Sequence, residues 1–81
     1  MEGEATIDTS DIVIHIDENL DIKHRQTIIN QLSTQAGVVS VSNHQKTPHL
    51  LVIMYDHLKV NSRELLDSIK KNGVHAELVG L

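Results

Sequence analysis

The apolar residues of this chain change period in a fixed order: two, about 3.6, two, two, about 3.6, two. That order prescribes strand, helix, strand, strand, helix, strand. In "DIVIHIDE" Ile12, Ile14 and Ile16 point one way and Val13, His15 and Asp17 the other, the alternation of a half-buried strand. Helical spacing follows, with Ile22, Ile28, Ile29 and Leu32 near one stripe and Lys23, Gln26, Asn30 and Gln31 largely outside it. Gly37 reads as the helix stop. "VVSVS" is a second strand, "NHQKTP" a turn in which Pro48 blocks either neighbouring strand, and "HLLVIMYD" a third strand. "NSRELLDSIKKNG" is the second helix, with Asn61 or Ser62 as N-cap, Leu65, Leu66 and Ile69 as its buried stripe and Gly73 as its stop. Counted from Ser62 the third helical position is Leu65, so no capping box is expected. "VHAELVGL" is the fourth strand, with Val74, Ala76 and Leu78 on one face and His75, Glu77 and Val79 on the other.

This is the α+β, ferredoxin-like βαββαβ plan: a four-stranded antiparallel sheet with two helices on one face. Residues 1–10 read as a disordered tail and residues 11–81 as one domain. The expected core is Ile14, Ile16, Ile28, Leu32, Val41, Ile53, Leu65, Ile69 and Leu78. An apolar share of 40% supports a packed fold. A net charge of -4 and a single aromatic residue, Tyr55, argue against nucleic acid, which calls for a positive stripe and stacking rings. No apolar run approaches the roughly 20 residues of a membrane span, so no membrane insertion is expected. The absence of cysteine rules out disulfides and thiolate metal sites and, with no secretory signal in view, points to the cytoplasm.

The plan hosts metal carriers, amino-acid-sensing (ACT-like) regulatory domains, RNA-binding domains and acylphosphatases. The third strand lacks the rings that RNA binding needs. The first strand-to-helix loop, "DENLD", would repel an anionic substrate, and it lacks the glycine common in ACT-like ligand loops. No nucleophile is paired with a base, so enzymatic activity is not expected.

Over about residues 11–80 the chain resembles the heavy-metal-associated (HMA) domains of copper chaperones and P-type ATPases. The resemblance is carried by Ile14 and Ile16 in the first strand, Ile28 and Leu32 in the helix, Gly37-Val38 after it, Tyr55-Asp56, and Gly73 to Ala76. It sets Asn19 where the family has methionine, and Asp21 and His24 where it has the two cysteines of its Cys-x-x-Cys motif. Copper(I) needs soft thiolates, so the resemblance implies a site whose chemistry has been altered. Asp21 and His24, three apart at a helix start, can face one ion, with Asp17 and Glu18 adding oxygens. Such donors suit a divalent metal such as zinc, nickel or cobalt. The simpler reading makes Asp21 an N-cap and His24 a solvated surface residue, with Lys23 and Arg25 disfavouring a cation.

Six histidines are many for this length, but they are scattered. His44 and His49 flank the second turn and could meet across it. His15 and His75 share the helix-free sheet face with Glu77, so a cross-strand His–His or His–Glu pair is possible. The same face carries Val13, His15, Leu50, Val52, Met54 and Val79, more apolar than an open antiparallel face usually is. That points to contact with a protein partner or to a homodimer. The expected function is therefore a small HMA-like, metallochaperone-like module of metal handling without a copper(I) site. It would either bind harder divalent metals weakly or dock to a partner. The alternatives are a metal-independent interaction module and an ACT-like small-ligand domain.

Overall fold

A computed structural model describes residues 9–79. The chain runs β1 (Thr9–Ile16), α1 (Ile22–Ser33), β2 (Val38–Ser42), β3 (Leu50–Asp56), α2 (Ser62–Lys70) and β4 (Ala76–Val79). The four strands form one antiparallel sheet in the order β2-β3-β1-β4, so the split-βαβ plan is realised. Thr9 and Ser10, read from sequence as tail, open β1 opposite Asp56 and Tyr55. Residues 1–8 of that expected tail, and residues 80–81, lie outside the described residues.

The helix-covered face of the sheet holds the core. Ile12, Ile14 and Ile16 of β1 and Leu51, Ile53 and Tyr55 of β3 are buried beneath Ile28 and Leu32 of α1 and Leu65 and Ile69 of α2. Val60 and Ala76 complete it. Val41 and Leu78, expected in the core, are only partly buried against it. They lie on β2 and β4, the two edge strands, where an inward side chain has a strand neighbour on one side alone. Ile22 departs further and is 74% exposed. At 100° per residue it sits roughly 120° around the helix from Ile28, off the buried stripe.

Both helix starts are capped. The Asp21 carboxylate accepts from the His24 backbone N–H at 2.8 Å. The second cap is Asn61, not Ser62, which moves Glu64 to the third helical position. A full capping box results, contrary to the expectation counted from Ser62: Glu64 N–H donates to Asn61 Oδ1 at 2.8 Å and Asn61 N–H donates to Glu64 Oε1 at 3.0 Å. The helices stop before the glycines read as their ends: α1 is capped at Thr34 and α2 at Lys71, both in the right-handed region. Gly37 (φ 92°) turns the chain further on, in a left-handed conformation that favours glycine, and its C=O accepts from Asp56 N–H at 2.7 Å as the chain enters β2.

β4 begins at Ala76, two residues later than the alternation suggested. Hydrogen bonding to the first strand nevertheless continues past its start, because Asp17 N–H donates to His75 C=O at 2.9 Å. That bond carries the pairing of β1 and β4 into the first strand-to-helix loop, where the candidate donors lie.

Candidate metal centre

Strand geometry assembles a donor cluster on the open face. Successive residues of a strand alternate between faces, so His15 and Asp17 share one. The antiparallel register sets His15 opposite Glu77. His15 Nδ1–H therefore lies between two carboxylates, 2.8 Å from Glu77 Oε2 and 3.1 Å from Asp17 Oδ1. Among the described residues these three form a group whose ligand atoms all fall within 4.8 Å of one another. Their side chains are 37%, 53% and 54% exposed for His15, Asp17 and Glu77, so the cluster is open to solvent.

The His15 ring is held from behind. His49 stacks on it with ring centroids 5.5 Å apart and planes 18° from parallel. His49 is itself anchored, its Nδ1–H donating to Ile16 C=O at 2.6 Å. His49, which from the sequence could meet His44 across the turn, stacks on His15. The sequence named the His15–Glu77 pair as one possibility, but the role of His49 carried no signal, since it depends on how the β2–β3 turn returns beside the end of β1.

The remaining candidates fall into two further pairs. Asp21 and His24 meet at the start of α1. Asp21 Oδ1 accepts both the backbone N–H and the ring Nδ1–H of His24, each at 2.8 Å. These bonds, the backbone one first, and the nearby charge of Arg25 hold the Asp21 carboxyl below its ordinary value. Glu18 instead reaches across to His75, with its Oε2 2.7 Å from the ring Nδ1. The carboxylates of Asp17, Glu18 and Asp21 thus go to three different imidazoles, those of His15, His75 and His24, and are not gathered about one point.

No family profile matches the sequence, and no curated protein does. Solved structures do match in shape. A copper-binding domain of HMA7, a P-type ATPase, is 16% identical with a TM-score of 0.78 over 86% of this chain and 93% of that one. Oxidized MerP from Ralstonia metallidurans CH34 is 16% identical with a TM-score of 0.80, over 90% of this chain and 100% of that one. The Cu(I)-loaded N-terminal domain of a potential copper-translocating P-type ATPase from Bacillus subtilis is 17% identical with a TM-score of 0.79, over 89% of each chain. The fold is that of the heavy-metal-associated domains. On this HMA fold the chain has no cysteine, so it offers none of the soft thiolates that suit copper(I). No helix among the described residues is long and apolar enough to cross a membrane.

The helix-free face is arranged in cross-strand rows. Val13 stands between Val52 and Val79, and His15 between Leu50 and Glu77. Met54 sits one row on, opposite Asp11. Val52, Met54 and Val79 are each 37% exposed, while Val13, His15 and Leu50 are half-buried by their neighbours.

Proposed function

We propose that this chain is a non-catalytic metal-handling module of the HMA fold that takes a divalent cation through carboxylate and imidazole donors. One observation carries the reading: every carboxylate of the first strand-to-helix loop is paired with an imidazole. The pairs are His15 with Asp17, His75 with Glu18, and His24 with Asp21. Oxygen and nitrogen donors in that combination suit zinc, nickel or cobalt. Their exposure fits a weak, exchangeable site in which water completes the coordination. The test is calorimetric titration of zinc, nickel, cobalt and copper(I) into chelator-stripped protein. Saturable binding of a divalent ion, with no tight uptake of copper(I) under reducing conditions, supports the reading. Tight copper(I) binding, or no binding of any divalent ion, overturns it.

A second reading, that the open sheet face makes a protein contact, is favoured by the row of Val52, Val13 and Val79 flanked by Met54 and Leu50. A homodimer through this face would be isologous. Sedimentation of the wild-type chain and of Val52→Lys tests it. A dimer abolished by the charge supports the contact, and a wild-type monomer at high concentration removes the homodimer.

A further inference from the structure

We infer that the cation is held by His15, Asp17 and Glu77 on the open sheet face, and not by Asp21 and His24 at the positions of the family's thiols. The inference rests on the proposed metal-handling reading and names its site.

The first argument is preorganisation. His15 and Glu77 face each other from two hydrogen-bonded strands, and the Asp17 backbone is tied to His75 at 2.9 Å. The His15 ring is braced by the His49 stack. Two donors from a strand pair, with a third held beside them by a backbone hydrogen bond, lose less freedom on binding than donors carried wholly by a loop.

The second argument is spacing. Metal–ligand bonds of about 2.1 Å at right angles separate neighbouring donor atoms by about 3.0 Å. The two separations from His15 Nδ1, 2.8 and 3.1 Å, bracket that edge. An ion that accepts near-octahedral coordination, with water in the open positions, can therefore keep both separations from His15 Nδ1 nearly as they are.

The third argument is charge. One ring N–H is shared by two anionic acceptors, which leaves the two carboxylates facing each other across a single proton. When an ion binds, the Nδ1 proton leaves to solvent and Nε2 carries the ring's one proton, so that Nδ1 presents its lone pair. The cation then replaces a hydrogen atom as the group between the carboxylates and neutralises both. His75, whose charge also bears on Asp17, is already compensated by Glu18. Asp21 offers the opposite case. Its Oδ1 is engaged in capping α1, and the Arg25 charge bears on it. A cation there would compete with the helix start and meet a like charge.

The experiment is Zn²⁺ titration of the chelator-stripped full chain, together with Mn²⁺ line broadening in residue-resolved NMR. Asp17→Asn/Glu77→Gln is compared with Asp21→Asn/His24→Gln. All four substitutions are at exposed side chains, and each variant's fold is checked by its amide spectrum. The expected result is Mn²⁺ broadening centred on His15, Asp17 and Glu77. Zn²⁺ affinity should fall at least about tenfold in the first variant and stay within about twofold in the second, a difference of about 1.4 kcal/mol for each tenfold. Broadening centred on Asp21 and His24, or affinity lost in the second variant alone, overturns this inference while leaving the metal-handling reading intact. Broadening spread over the acidic surface without a centre also overturns it. No saturable Zn²⁺, Co²⁺ or Ni²⁺ binding overturns both.

Discussion

Glu18 takes three hydrogen bonds from a single residue, His75. The His75 backbone N–H is shared between the two carboxylate oxygens at 2.9 and 3.1 Å, and the ring Nδ1–H donates at 2.7 Å. These contacts tie the loop after β1 to the turn before β4. They also set a pH window. The bond to the Glu18 carboxylate, then its charge, raise His75 above its ordinary 6.5. The His75 ring bond, then the backbone N–H, lower Glu18 below its ordinary 4.5. The stability gained through His75 is fully present below pH 6.5 and is lost as pH rises through its raised value. That gained through Glu18 is present above pH 4.5 and is lost as pH falls through its lowered value. The link is therefore complete between those two pH values. NMR titration of the chelated, metal-free protein should show His75 titrating above 6.5 and returning toward it in Glu18→Gln. A His75 that titrates no higher in the wild type than in that variant would mean the link does not form in solution.

Adjacent residues of β3 should respond in opposite ways to substitution. Ile53 is fully buried and Val52 is 37% exposed on the other face. Ile53→Ala should cost about 2–5 kcal/mol, from lost burial and the cavity left behind. Val52→Lys should cost under about 1 kcal/mol, because its side chain already meets water. Urea unfolding measures both, and comparable losses at the two positions would contradict this assignment of faces.

Restoring thiols should restore soft-metal chemistry. In Asp21→Cys/His24→Cys the two sulfurs stand at the positions where the HMA resemblance sets them, at the start of α1, where the helix dipole favours thiolate. The double variant should gain tight copper(I) binding under reducing conditions, measured by competition with a copper(I) chelator. It should also lose about 1 kcal/mol of stability, because the Asp21 cap is removed. A double variant that binds no more copper(I) than the parent speaks against the register in which Asp21 and His24 replace the cysteines.

The two positive-φ glycines should differ. Gly73 (φ 82°) has open space where a Cβ would go, so Gly73→Ala should cost about 1 kcal/mol, the strain of the backbone alone. At Gly37 (φ 92°) the same Cβ would lie 2.8 Å from Val60 Cγ1 and 3.0 Å from Lys59 Cβ. Val60 is buried and cannot easily give way. Gly37→Ala should therefore cost at least about 1 kcal/mol more than Gly73→Ala, read as the difference in unfolding free energy. Equal losses would show that the Val60 contact relaxes freely.

The element order and the inward side of each strand are legible in the chain, because each depends on spacings of a few residues. Ile12, Ile14 and Ile16 must share a face in any strand. The Asn61 capping box was equally local, and reading it needed only the helix start one residue earlier. The partition of the donors was not local. Glu77 meets His15 across 62 residues, and Glu18 meets His75 across 57. Spacing about the first loop grouped Asp17 and Glu18 with Asp21 and His24, whereas the β1–β4 register draws Asp17 toward Glu77 and Glu18 toward His75. The edge positions of β2 and β4, which leave Val41 and Leu78 half covered, likewise follow from strand order. Periodicity says which way a side chain points. Which side chain it meets depends on the register of strands paired across the whole chain, and the burial of the shared core sets that register.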